Sequence, residues 1–292
     1  MTKRALQNAR FVIFVNKVVK NHKKGIDKLY NLRYTNNTKK LEDAIVPRFF
    51  VGNAQINEGV VTITGSDAHH ISRSLRMAVG NHITVIDSAC REYDCTLTDF
   101  LEDTVKAAVV AVKEPDTEPP CHITLYQALP KGDKLDTVIQ KAVECGVCHI
   151  VPFESERCVV RAKPEAEDKK QQRRARIALE AAKQCGRGLV PAVEKTVSFR
   201  EMLTAAEKAD AVLFCYEGEG TAPIGKLLAS LDLKKGTRLA LVIGSEGGFA
   251  LSEAAEARAR GFLMTGLGKR ILRTETAPLF ALAAISAITE LS

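Results

Sequence analysis

Three glycine-rich segments and one cluster of arginines carry the residue types that could do chemistry in this sequence. Glu217-Gly218-Glu219-Gly220, Gly244-Ser245-Glu246-Gly247-Gly248 and residues 266–277 each follow or close a short apolar stretch that reads as a strand. Glycine lets main-chain N–H and C=O groups approach a ligand closely. In parallel α/β sheets, ligands bind just beyond the carboxyl ends of the strands. The Gly244 segment is not G-x-G-x-x-G and lacks the Lys-Ser/Thr of a phosphate loop, which argues against a Rossmann dinucleotide enzyme and against an NTPase. The third segment brings the guanidiniums of Arg270 and Arg273 and the carboxylate of Glu275 to one sheet mouth. A plainer use for it is a surface ion pair capping the last helix, with Thr274 as N-cap and Glu275 in the first turn. A solvated cap has no need of the apolar pair Ile271-Leu272 between two arginines, so more than capping is expected.

The elements that must hold these segments read as α/β. Residues 49–51, 60–64, 82–87, 93–100 and 105–112 have strand-like patterns separated by Gly, Asn and Asp turns, which predicts a small closed or nearly closed barrel. One helix interrupts it, with Ser66 as N-cap and Ile71, Leu75 and Ala78 as its apolar stripe. His69, His70, Arg73 and Arg76 lie beside that stripe. Residues 113–120 hold three prolines and read as a linker. Strands at 121–129, 149–153, 209–216, 238–244 and 262–267 then alternate with helices at 133–145, 165–185, 252–260 and 275–291, the pattern of a parallel sheet covered on both faces. Cys145 is expected to end a helix and Gly146 to cap it.

Composition narrows the classes. The chain has 292 residues, 46% hydrophobic and 26% charged, which excludes disordered and collagen-like classes. No apolar run reaches the roughly 18 to 20 residues of a membrane helix. The formal net charge of +7 is local: residues 1–45 hold 11 Lys+Arg against 3 Asp+Glu, and the remainder is close to neutral at 31 against 32. An argument for nucleic acid from global charge would rest on that segment alone. Residues 1–45 lack the Ser of a transit peptide, and the expectation is a loose or non-native basic extension. Eight irregularly spaced cysteines fit a reducing, cytoplasmic compartment rather than a disulfide scaffold. Cys145-Gly146-Val147-Cys148-His149 matches the haem-attachment string, but that chemistry needs export and no signal layout is present. As a zinc site the pair lacks a second pair at finger or ribbon spacing, so no metal is expected.

At these positions the sequence resembles the ribosomal RNA small subunit methyltransferase E family of the knotted SPOUT methyltransferases. The likeness spans residues 46–292. Val46-Pro47-Arg48-Phe49-Phe50 resembles the family's start, and His69-His70, Leu75-Arg76-Met77 and Gly80 its small domain. Asp133-Lys134-Leu135-Asp136, Gln140-Lys141, Glu144-Cys145-Gly146-Val147, Arg157, Gln184-Cys185-Gly186-Arg187 and residues 243–248 resemble the larger one. Residues 267–277 are the most specific part. Two departures are visible: Ser245 stands for the usual Pro and Lys183 for a usual Glu, which leaves Lys183 without a catalytic assignment.

The resemblance implies a PUA-like RNA-binding β-barrel at 46–118 and, at 119–292, a parallel-sheet SPOUT domain with a deep trefoil knot. It implies a homodimer, S-adenosylmethionine as cofactor, and methylation of N3 of a uridine in 16S rRNA near the decoding site, on the assembled small subunit. The expected cofactor-binding residues are Tyr216, Glu217, Gly218, Gly244, Glu246, Gly247, Gly248, Leu267, Gly268, Ile271, Leu272 and Thr276. Arg48, His70, Arg73, Arg76, Arg157, Arg187 and Arg270 are expected at the RNA. Arg273 and Glu275 are the catalytic candidates, because N3 must lose its proton before it can attack. Guanidinium donors stabilise the anion spread over both carbonyls, and a carboxylate can take the proton, directly or through water. A rival from another class is a non-catalytic RNA-binding assembly protein on the same scaffold. Gly244, Gly247, Gly248 and Gly268 speak for retained cofactor binding, and calorimetry with S-adenosylmethionine separates the two.

Overall fold

Alternating burial builds the first sheet. In the computed structural model, which describes residues 46–291, its strands are β1 (Arg48–Phe50), β2 (Ile56–Asn57), β3 (Val60–Thr64), β4 (His82–Ile86), β5 (Glu92–Phe100) and β6 (Thr104–Lys113). The basic segment 1–45, expected to be an extension, lies outside the described residues. The strand order is β1-β4-β5-β6-β3-β2, antiparallel except for the parallel β1–β4 pair. Phe49, Val61, Ile63, Ile83, Val85, Leu97 and Val105 point to one buried side and form its core. β1 and β2 remain separate edges, so of the closed or nearly closed barrel that the turn spacing suggested the sheet forms an open half-barrel, without closure.

The helix in this part is shorter than its sequence pattern. α1 spans Gly65–His69 with Thr64, not Ser66, at its N-cap, and continues as a single π turn over His70–Ser74. Arg76 takes a φ of +51°, which a right-handed helix cannot continue through. Ile71 is therefore the buried anchor, while Leu75 and Ala78 lie past the turn and are exposed.

The second sheet is wholly parallel. Its strands are β7 (His122–Ala128), β8 (His149–Glu154), β9 (Ala192–Val193), β10 (Val197–Ser198), β11 (Ala211–Cys215), β12 (Ala222–Pro223), β13 (Arg238–Ile243) and β14 (Leu263–Gly266). Its order is β10-β8-β7-β13-β11-β14-β12, with β9 also on β8. β13 is buried at every residue after Arg238, as expected of a central strand covered on both faces. The helices are α2 (Lys134–Glu144), α3 (Pro164–Cys185), α4 (Phe199–Ala206), α5 (Ile224–Ser230), α6 (Leu251–Ala259) and α7 (Ala277–Thr289). On α2, Leu135, Val138, Ile139, Ala142 and Val143 are all buried, the i, i+3, i+4, i+7, i+8 stripe of the sequence. α3 begins with Pro at its first turn and ends at Gly186, whose φ of +78° supplies the left-handed cap. Ser198 and Glu201 form a reciprocal capping box on α4.

Two contacts tie the sheets together. Glu118 in the linker accepts from Nε of Arg187 at 3.2 Å and from the backbone N–H of Gly188 and Leu189, while Nη1 of Arg187 donates to the carbonyls of Val143 and Val147. Lys183 donates to Asp67 of α1 at 2.9 Å and sits 5.8 Å from the centre of the Phe49 ring. The departure at Lys183 is thus a strut between α3 and the first sheet. Among the described residues no helix is long and apolar enough to cross a membrane, and no cluster of His, Cys, Asp and Glu could hold a metal.

Candidate active site

The strand order brings the ends of β11, β13 and β14 side by side, and the segments leaving them enclose a cavity of about 940 Å³. Tyr216, Glu217 and Gly218 line it from the first segment; Gly244, Ser245, Glu246, Gly247 and Gly248 from the second; and Leu267, Gly268, Lys269, Arg270, Ile271, Leu272 and Arg273 from the third. Lys134 at the start of α2 and Arg157 after β8 complete the rim. Every expected cofactor residue except Thr276 is on this wall. Thr276 is off this wall, as the N-cap residue of α7, with its carbonyl engaged by the N–H of Phe280.

Three of the wall's glycines have no room for a side chain. A Cβ on Gly244 would meet the Phe249 ring at 3.1 Å and Cα of Gly248 at 3.3 Å; one on Gly247 would meet Cβ of Arg157 at 3.0 Å. A Cβ on Gly218 would fall 2.2 Å from the Tyr216 ring. These glycines share the cavity wall with the apolar residues Ile243, Phe249, Leu267 and Leu272. The Ser245 hydroxyl is buried without a hydrogen-bond partner.

Beneath the cavity, buried polar side chains lock the loops. Thr274 is 5% exposed, and its hydroxyl donates to the carbonyl of Gly244 at 2.7 Å. It also accepts from Nε2 of the fully buried Gln127 at 3.1 Å. Thr274 is therefore no N-cap; the segment does cap the last helix, but through Thr276, two residues on. Arg273 lines the cavity, and its guanidinium makes no hydrogen bond or ion pair among the described residues. Its backbone carbonyl receives the N–H groups of Thr276 and Ala277.

Charge is concentrated at one corner. Nζ of Lys134 is 2.8 Å from Oε1 of Glu246 and 3.5 Å from Oε2 of Glu275, which accepts no hydrogen bond and is buried. Burial pushes the Glu246 carboxyl up, but the hydrogen bonds from Lys134 and from backbone N–H groups outweigh it and hold it below the usual carboxylate range. The hydrogen bond to Glu246 raises Lys134 in turn, keeping it an ammonium. Glu275 stands behind Lys134 rather than on the cavity wall. Cys215 lines the cavity, but burial drives its thiol up to about 12, so it offers no thiolate nucleophile near neutral pH.

The expected RNA contacts divide. His70, Arg73 and Arg76 are exposed on α1 and the turn after it, and Arg157 and Arg270 are exposed at the cavity rim, Arg157 donating to the carbonyl of Gly247 at 3.2 Å. Arg187 is corrected: it is 3% exposed and its donors are engaged by Glu118 and by backbone carbonyls, so it cannot reach a phosphate. Arg48 is bound to Glu92 at 2.7 Å and is no free cation either. Sequence reasoning missed Lys134, Gln127 and the true role of Thr274. Of these only Lys134 left a signal, as part of a family-like run at a helix start.

A family model described as an RNA methyltransferase domain matches residues 117–286, and one described as an RNA methyltransferase PUA domain matches residues 63–107. Ribosomal RNA small subunit methyltransferase E of Bacillus subtilis is 37% identical over 252 residues, covering 84% of this chain and 97% of its own. That of Synechocystis is 32% identical, covering 83% and 78%. The crystal structure of a ribosomal RNA small subunit methyltransferase E from Neisseria gonorrhoeae bound to S-adenosyl methionine is 31% identical, with a TM-score of 0.72 over 83% of this chain and 98% of that one. A methyltransferase from Legionella pneumophila in complex with the same cofactor gives 0.73 at 28% identity, over 83% and 98%. A match to the methyltransferase model across more than half of the chain, together with relatives aligned over nearly their whole length, means that this chain belongs to the ribosomal RNA small subunit methyltransferase E family.

Proposed function

We propose that this protein is a cytoplasmic homodimer that uses S-adenosylmethionine to methylate N3 of a uridine in 16S rRNA near the decoding site, acting on the assembled small subunit. The observation that carries the reading is the cavity at the ends of β11, β13 and β14, with its glycine-rich wall and an uncommitted Arg273 on its rim. Its volume of about 940 Å³ and its mixture of apolar sides and main-chain groups suit a nucleoside-sized cofactor. When bound, S-adenosylmethionine supplies an electrophilic methyl group. Residues 216–218, 244–248 and 267–272 hold it, and Arg157 and Arg270 grip the RNA backbone at the rim. Arg273 donates to the uracil carbonyls as negative charge develops on them. Glu275 takes the N3 proton through water at the Lys134 corner. Arg73 and Arg76 on the first sheet's helical segment contact flanking RNA.

A trefoil knot belongs to the same reading. After β13 the chain passes through α6 and β14, on the far side of β11, and then returns to set Thr274 against Gly244. The test is methyl transfer from labelled S-adenosylmethionine to small subunits lacking the modification, with the methylated nucleoside mapped by mass spectrometry. The expected product is 3-methyluridine at one site. Methyl on another atom, or on free RNA only, removes the corresponding part of the proposal, and absence of cofactor binding in calorimetry removes it entirely.

A further inference from the structure

We propose that Lys134 is the positioning residue for the proton-accepting carboxylate, holding Glu275 just behind the cavity wall and joining it to the cofactor loop through Glu246. The inference rests on the proposed role of Glu275 as proton acceptor.

The geometry makes the ammonium a hub between three parts of the chain. Lys134 is the first residue of α2, Glu246 belongs to the segment after β13, and Glu275 to the segment after β14. Nζ reaches Oε1 of Glu246 at 2.8 Å and Oε2 of Glu275 at 3.5 Å, and the same Glu246 oxygen accepts the backbone N–H of Lys131 at 3.1 Å. The Glu246 carboxylate thus fixes the lysine against the start of α2. Glu275 has no equivalent support, because its Oε2 is buried and accepts no hydrogen bond. A carboxylate oxygen removed from water without a donor is costly unless a cation stands near. Lys134 is the ion-pair partner the structure gives it. Arg273 is on the cavity wall without an ion pair, and Asp136 on the same helix is taken up by Arg173.

This arrangement suits the proposed chemistry. As the methyl is transferred, the C–S bond of the sulfonium breaks to leave a neutral thioether and the N3–C bond forms. The N3 proton goes through water to the Glu275 carboxylate. The ammonium beside the buried Oε2 keeps the carboxylate aimed and leaves its other oxygen, Oε1, for that proton. Because Lys134 also grips Glu246, the acceptor is registered to the loop that holds the methyl donor.

The test is a double-mutant cycle on the full-length protein, assayed on small subunits with S-adenosylmethionine. Lys134→Met should lower kcat about tenfold or more while the Kd for S-adenosylmethionine and the melting temperature stay near wild type, and Lys134→Arg should restore much of the rate. In a Glu275→Gln background, Lys134→Met should add almost no further loss, since the lysine acts through that carboxylate. Multiplicative losses, or a Lys134→Met loss explained by weaker cofactor binding, would overturn the proposal. If Lys134→Met is fast while Glu275→Gln is slow, Lys134 is dismissed and Glu275 stands. A fast Glu275→Gln dismisses both. If Lys134→Met fails to fold, Lys134→Gln carries the same comparison.

Discussion

Arg273 can be assigned by what its side chain leaves undone. Its guanidinium lines the cavity without a partner among the described residues, so truncation breaks no structural contact. Arg273→Ala should keep its melting temperature and cofactor affinity while methyl transfer falls about a hundred- to a thousandfold, the roughly 2.7 to 4 kcal/mol that one preorganised donor contributes. Arg273→Lys should recover part of this, since an ammonium retains the charge but not the planar fork. Transfer by Arg273→Ala at near wild-type rate would falsify the assignment, and a loss of cofactor affinity would move Arg273 into the pocket. Gly218 probes the wall itself. An added Cβ would lie 2.2 Å from the Tyr216 ring and force it to move, so Gly218→Ala should weaken S-adenosylmethionine binding by about tenfold, or 1.4 kcal/mol. Unchanged affinity in calorimetry counts against a backbone-built pocket. The glycines and Arg273 were legible in the sequence because such residue types are unusual at strand ends. Lys134 and Gln127 were not: each gains its meaning from a partner 112 or 147 residues away.

The elements were legible to the extent that they are long and periodic. β7, β13 and α2 match their apolar patterns to within a residue or two, because burial on both faces of a strand or along one helix stripe is written in every residue. β9, β10 and β12 pair over two residues each, too few for any period to appear. The helices of α4 and α5, with 8 and 7 residues, were likewise overlooked. The cap assigned to Thr274 failed for a different reason: its hydroxyl is used across the fold, not along the chain. That use yields a prediction. Thr274→Val leaves the Gly244 carbonyl and the Gln127 amide short of a buried partner, and should destabilise the protein by about 1 to 3 kcal/mol. Thr274→Ser, which keeps the hydroxyl, should cost much less. Equal denaturation midpoints for the two variants would show that the latch carries no energy.

At the scale of the molecule, Arg187, which the resemblance put at the RNA, instead ties the linker to the body of the second sheet. Arg187→Ala takes the cation from the Glu118 carboxylate, which then keeps only the N–H groups of Gly188 and Leu189, and removes a donor from the carbonyls of Val143 and Val147; it should lower stability by about 3 to 5 kcal/mol, the range for breaking a buried pair. A loss of RNA binding without a stability change would restore Arg187 to the interface. The outer surface poses the remaining question, because α7 is apolar beyond what the sheet covers. Pro278, Ala281, Leu282 and Ile285 face inward and are buried, whereas Phe280, Ala283 and Ala287 lie exposed at i, i+3 and i+7, and Leu291, just past the end of the helix, is 79% exposed. A helix that presents an apolar stripe on its solvent side needs a second surface against it, and a copy of the same chain brings the same stripe to a two-fold axis. Light scattering at micromolar concentration should therefore give the mass of two chains. Phe280→Glu places a charge in that stripe without touching the buried face, so it should yield a folded monomer with an unchanged circular dichroism spectrum. A wild-type protein that scatters as a monomer, or a Phe280→Glu variant that remains dimeric, would mean that some other surface meets this side of α7.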